Sequence, residues 1–164
     1  MEYRIESLGE FKIVGYKISS TNAMFKGMRD CPAFWKKIIK EKKNEILVPF
    51  ITQEPLGLMG VSVYNVDSQD NKKFDYYIAA STTLETPTEL EEYLVPAMTW
   101  AVFPCTRKTS GKTQMNIVNK WEPQADYQLL NTGYKSGKMI SAAPDMEVYG
   151  KDDEVGIWVP VKKK

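Results

Sequence analysis

The chain has 164 residues, 43% hydrophobic and 12% aromatic, enough to bury a core within one domain without a disulfide or metal staple. Its 22 basic and 21 acidic residues nearly cancel, which argues against direct nucleic-acid binding. There is no histidine, which excludes Ser–His–Asp and Cys–His catalysis, His-ligated zinc and His-ligated haem.

Cys31 and Cys105 lack metal-ligand spacing and read as free thiols, so neither a metal nor a cofactor is expected. The longest apolar runs, residues 46–51 and 76–80, are too short to span a bilayer. No secretory apolar segment follows Met1, so a cytoplasmic protein without membrane contact is expected.

Residues 10–18 (EFKIVGYKI) predict a strand, with Gly15 marking a bulge or a close backbone approach. Asp30-Cys31-Pro32 signals a helix start, a capping residue followed by a first-turn proline. Phe34, Trp35, Ile38 and Ile39 give this helix an apolar stripe to about residue 43, and the interleaved lysines its solvated face. Residues 44–57, with two prolines and a glycine, read as loop. Residues 58–66 and 73–81 are strand-like, and the polar spacer 67–71 between them signals a hairpin.

The order then repeats. Residues 97–105 predict a strand, and 109–121 a helix with the stripe Gln114, Ile117, Val118 and Trp121, closed ahead of Pro123. Residues 124–144 are irregular, hold Gly133 and Gly137, and offer a lid or a short extra strand. Residues 145–149 and 155–162 predict strands joined by the turn 150–153. Two strand–helix–strand–strand units, about residues 1–90 and 91–164, predict a pseudo-symmetric α+β domain. Its antiparallel sheet would surround a central cleft where the halves meet, a common place for a ligand.

Strand alternation sends Met146 and Val148 one way and Glu147 and Tyr149 the other. A carboxylate beside aromatic rings suits an organic cation, because the rings attract positive charge and the carboxylate supplies the counter-charge. The same alternation fits a glutamate on the wet face of a half-buried sheet. In the last strand Val155, Ile157, Val159 and Val161 share one face, leaving Gly156, Trp158 and Pro160 on the other. A hairpin of the last two strands would then bring Trp158 near Glu147. Trp100 reads as core or cleft wall, and Trp121 as the end of a helix stripe. Of the adjacent Tyr76 and Tyr77, one must point away from the main core. The candidate ligand contacts are Glu147, Tyr149, Trp100, Trp121, Trp158, Tyr64 and Tyr77.

Several short motifs stand in a characteristic order. They run from Phe11-Lys12-Ile13-Val14-Gly15 through Pro32-Ala33-Phe34-Trp35, Gly60-Val61 and Phe74-Asp75-Tyr76-Tyr77-Ile78. The second half continues with Trp100-Ala101-Val102-Phe103, Asn119-Lys120-Trp121-Glu122-Pro123, Glu147-Val148-Tyr149 and Ile157-Trp158-Val159-Pro160-Val161. In these the chain resembles the GyrI-like, AraC-type effector-binding family, the multidrug-sensing domain of bacterial regulators, also found free-standing and in integron cassettes.

The resemblance implies a central cleft in which a glutamate, here Glu147 with Tyr149 two residues on, meets lipophilic cations among aromatic rings. Two departures bear on ligand preference. Gly156 stands where members commonly carry a further glutamate, with Glu154 two positions earlier, and residues 107–111 replace a Gly-Pro turn. The expected function is stand-alone binding of small hydrophobic molecules, cationic ones included. The alternative is hydrolysis of reactive cyclopropane compounds, with Glu147 as general acid or base, Tyr149 assisting and Glu122 as a weaker candidate. A role toward a protein partner stays open. Without a helix-turn-helix segment, regulation would need a separate DNA-binding protein.

Overall fold

Nine β-strands and three α-helices make up the computed structural model among its described residues, 1–131 and 141–164. Of the stretch 124–144, read as a lid or a short extra strand, residues 132–140 with Gly133 and Gly137 lie outside the described residues. The first half contains β1 (Arg4–Leu8), β2 (Phe11–Thr21), α1 (Lys26–Lys40), α2 (Lys43–Leu47), β3 (Leu58–Val63) and β4 (Lys73–Ser81). The second contains β5 (Glu91–Val95), β6 (Met98–Thr106), α3 (Ser110–Asn116), β7 (Tyr127–Leu129), β8 (Asp145–Tyr149) and β9 (Glu154–Lys163). No described helix is long and apolar enough to cross a membrane.

The strands form one antiparallel sheet in the order β1-β6-β9-β8-β3-β4-β2-β5, with β7 added beside β9. Read from the middle outward, β8-β9-β6 mirrors β3-β4-β2, so the expected repeat is built into the sheet. The halves also exchange their first strands: β1 pairs with β6 of the second half, and β5 with β2 of the first. These two edge strands have no clear alternation in sequence and are not predicted from it; the long-range pairing makes them strands.

The sheet is strongly curled. Five inter-strand steps separate β6 from β2, about 24 Å in a flat sheet. Yet Trp100 of β6 and Phe11 of β2 have ring centroids 6.0 Å apart. The concave face thereby closes on its own core, which includes Phe11, Met59, Tyr77, Trp100, Met146 and Trp158. The convex face carries the helices: Phe34 and Ile38 of α1 pack with Ile78, and Ile117 and Trp121 beyond α3 pack with Ile157.

Both faces are therefore buried, which alters three expectations. Tyr76 and Tyr77 point to opposite faces as expected, but the one directed away from the larger core enters a second core, so each is only 5% exposed. Trp158 pairs in register with Met146, while Glu147 pairs with Ile157. The hairpin forms, but Trp158 lies on the face away from Glu147. The alternation of Val155–Val161 separates two cores rather than core from solvent.

Helix boundaries differ for local reasons. Asp30 does not cap α1; its carboxylate accepts the Ser20 hydroxyl at 2.7 Å and pairs with Lys26 at 3.4 Å, tying an already formed helix to β2. Pro32 consequently sits inside the helix. The segment read as loop after residue 43 contains α2 and a 3-10 turn, Val48–Phe50, anchored by the fully buried Leu47. The second helix changes at Ile117 into a π-turn through Trp121. Strand β3 stops at Val63, short of the expected residue 66, and Asn65 beyond it is left-handed at φ 61°. The short extra strand expected in the irregular stretch is β7.

Gly15 allows the expected close approach, within a continuous register opposite Ala79. A Cβ at this position would collide with the Ile78 carbonyl oxygen, a backbone atom that cannot swing aside. We expect Gly15→Ala to cost about 3 kcal/mol through overpacking and lower the thermal midpoint by about 6–12 °C. Gly111 in α3 has open space around it, so Gly111→Ala should instead raise the midpoint by about 2–4 °C. Equal midpoints for the two variants in thermal denaturation would refute this reading of Gly15.

Candidate functional site

The halves join through the pairing of β3 with β8, where Gly60 stands opposite Glu147. Their row continues outward through Ile78 and Tyr16 on one side and Ile157 and Phe103 on the other. Glu147 thus lies at the midpoint of the sheet, on the helix-bearing face, between the core under α1 and the core under α3. Its counterpart in the repeat is a glycine. A Cβ on Gly60 would collide with the Tyr76 hydroxyl, so the missing side chain leaves the place that this hydroxyl fills.

The α3 layer reaches the carboxylate directly, and the α1 layer reaches the tyrosines beside it. From α3, the Gln114 amide nitrogen donates to Glu147 Oε1 at 2.8 Å. From β8 itself, the Tyr149 hydroxyl donates to Oε2 at 2.7 Å. From α1, Trp35 packs edge-on against the Tyr149 ring at 5.0 Å and donates its indole N–H to the Tyr76 hydroxyl at 2.7 Å. The exposed Arg107 guanidinium lies 5.5 Å from the centroid of the same Tyr149 ring.

The partly buried Glu147 has no ion-pair partner among the described residues; its two hydrogen-bond donors are neutral. Burial raises the Tyr149 hydroxyl above its ordinary range, and the neighbouring carboxylate raises it further. Burial pushes the Cys31 thiol up to about 12, with Glu147 and then Asp30 adding to it. Cys105 is raised mainly by burial, and the Glu147 charge also reaches it. Both cysteines are free, and both stay protonated at neutral pH.

The sequence candidates divide between the faces. Glu147 and Tyr149 meet on the seam. Tyr64 shares this side of the sheet and packs on Phe74 at 5.8 Å between ring centroids. Trp121 is also on the helix side but is locked between Phe103 (4.9 Å) and Tyr3 (5.1 Å). Trp100, Trp158 and Tyr77 belong to the concave core, away from Glu147. Glu122 lies in the 3-10 turn after the π-turn, its Oε2 buried without a hydrogen-bond partner among the described residues. Trp35, Tyr76 and Gln114 complete the seam although their sequence positions read as hairpin and helix stripes. Gln114 alone left a trace, as a polar residue within an apolar stripe.

At the end of the same strand face, Asp145 accepts the Asn131 amide at 3.2 Å. Burial raises its carboxyl from 3.8 to about 7, the Asn131 bond opposing the shift only in part. The folded protein then holds this proton through a window in which the unfolded chain has released it. The contribution of this group to stability is fully present below about pH 4 and is lost as pH rises through about 7. Asp145→Asn keeps the acceptor for Asn131 and cannot ionise, so it should flatten this slope and exceed the wild type in stability above pH 7. Urea midpoints measured from pH 4 to 8 test this; parallel curves for the two proteins would overturn it.

The fold recurs in solved structures of low sequence identity. SAV2435, in a structure with tetraphenylphosphonium bound, superposes with a TM-score of 0.76 at 20% identity, covering 99% of this chain and 94% of that one. A protein from Staphylococcus aureus MU50 assigned to bacterial transcription regulation gives 0.75 at 20% identity, covering 99% of each chain. The integron cassette protein VCH_CASS2 of Vibrio cholerae gives 0.62 at 18% identity, covering 98% and 95%. No curated protein sequence matches significantly. Residues 4–161 match the profile described as Cass2, integron-associated effector binding protein, and the chain is a member of that family.

Proposed function

We propose that the protein binds small hydrophobic organic cations at the seam, with Glu147 as the counter-charge and Tyr149, Trp35 and Tyr76 as the aromatic wall. The observation that carries this reading is a partly buried carboxylate held by two neutral donors and by no cation among the described residues. Buried charges are ordinarily paired, so an unpaired one has capacity for a positive partner. Family membership supports ligand binding in general. The tetraphenylphosphonium bound to SAV2435 supports a cation in particular.

The magnitudes favour the carboxylate as the main determinant. A unit charge 4 Å from it gains about 4 kcal/mol at an effective dielectric constant of 20. A cation over an aromatic face adds about 0.5–2 kcal/mol. Releasing the Gln114 amide costs about 1–3 kcal/mol, so a cation that displaces it still gains. The Arg107 guanidinium beside Tyr149 indicates that this ring already attracts positive charge.

Tetraphenylphosphonium should quench tryptophan fluorescence saturably, through Trp35. Glu147→Gln can still accept from Gln114 while its own amide donates to the Tyr149 oxygen, but it removes the charge, and it should weaken binding at least tenfold, about 1.4 kcal/mol or more. Identical titrations of wild type and variant would sink the counter-charge role.

One observation favours a second reading, hydrolysis. The Tyr149 O–H donates directly to Glu147, a pairing that suits acid–base work on a substrate lodged at the seam. Turnover of an electrophilic cyclopropane that disappears in both Glu147→Gln and Tyr149→Phe would establish it. Buffer-level rates in the wild type would remove it.

A further inference from the structure

A groove of ≈ 500 Å³ opens beside the concave face, with Cys105 and Val155 of the helix-side core also in its lining and neither Glu147 nor Tyr149 among it. Its floor is formed by β8 and β9 through Val148, Gly156 and Trp158. Arg4 and Glu6 of β1 stand on one side, and Glu54 to Leu56, ahead of β3, on the other.

Two independent features of this groove point to a ligand. The first is an unused donor. Trp158 is only 6% exposed, yet its indole N–H meets no acceptor among the described residues. The Trp100 indole, by contrast, donates to the Pro144 carbonyl at 3.3 Å. The Trp158 nitrogen lies 3.3 Å from the place a Cβ of residue 156 would take. Glycine at that position therefore leaves the N–H open to the groove, where any side chain would cover it. Trp158 is held rigidly: Trp100 abuts it edge-on at 5.9 Å, and the Arg4 guanidinium lies 5.8 Å from its ring centroid.

The second feature is charge. Among the described residues, Glu6, Glu54 and Glu154 line the groove against a single cation, Arg4, which already pairs with Glu6 at 2.8 Å. The excess is acidic and the open donor is neutral, while Leu56, 64% exposed, supplies an apolar rim. An anion would be repelled, and a purely apolar molecule would leave the N–H unsatisfied. What fits is a cation with an acceptor oxygen.

We propose that this groove is a second small-molecule site, for protonated amines that carry a carbonyl or hydroxyl oxygen. The oxygen accepts from the Trp158 indole N–H, the ammonium group lies among the groove carboxylates, and a short apolar chain rests on Leu56 and Val148. This site is separate from the seam and does not depend on Glu147.

L-Leucinamide has all three parts, and 4-methylpentanamide is the same molecule without the ammonium group. In ¹⁵N-labelled protein the Trp158 indole signal, assigned with Trp158→Phe, should shift saturably with leucinamide while the Trp35 signal stays in place. The neutral amide should bind at least about fivefold more weakly, and Gly156→Ala should weaken leucinamide at least about tenfold. Tetraphenylphosphonium added to Gly156→Ala reports separately that the seam is intact. A stationary Trp158 signal at about 50 mM leucinamide, or equal affinity in Gly156→Ala, overturns the proposal. Should that variant not fold, Glu54→Gln with Glu154→Gln takes its place, and unchanged affinity in the double variant overturns the proposal equally.

Discussion

The pairing of β3 with β8 is the joint on which the rest of the molecule depends. It is the ladder where the mirrored triplets of the two halves meet, and the pseudo-two-fold passes through its Gly60–Glu147 rung. Extending the register outward from that rung places Ile78 and Tyr16 under α1, and Ile157 and Phe103 under the helical segment that follows α3. A one-residue slip would turn every one of these side chains to the other face. The same rung breaks the symmetry chemically. On one side a glycine admits the Tyr76 hydroxyl; on the other a glutamate accepts hydrogen bonds from Gln114 and Tyr149.

The second constraint is curvature. Two-sided burial is unusual for an antiparallel sheet, which commonly leaves one face wet. Here one face is covered by helices and the other by the sheet's own curl, brought close enough for Phe11 to reach Trp100. The exchange of β1 and β5 between halves helps hold that shape, because each edge strand bonds to the half it does not belong to in sequence. The polar side chains at the seam are held by one another, Gln114 and Tyr149 both donating to Glu147.

This arrangement explains how the aromatic side chains are shared out. Trp35 serves the seam, Trp121 seals the core beyond α3, and Trp100 and Trp158 brace one another across the concave face. Their roles differ although their residue type does not, since each ring is oriented by the element opposite it. The hydroxyl and amide groups at the seam follow the same logic. Gln114, Tyr149 and Tyr76 come from three separate elements and meet because the sheet brings those elements to one line.

Much of this molecule was legible in its residues. Residues 73–81 carry their strand limits in a β-rich run after a polar spacer and residues 145–149 in their own alternation, and the repeated strand–helix–strand–strand order emerges from local periodicity and turn residues. The shared face of Glu147 and Tyr149 follows from the two-residue period of a strand. Periodicity fixes which side chains share a face; it does not say what covers that face. Only the tertiary structure decided that Trp158 turns away from Glu147, that Tyr76 and Tyr77 are both buried, and that Asp30 binds Ser20 instead of capping a helix. The same holds for Gln114 and Trp35, whose positions in helix stripes carry no mark of the strand they will meet. Those outcomes depend on register and curvature, which arise from contacts between residues distant in sequence and leave little local signature.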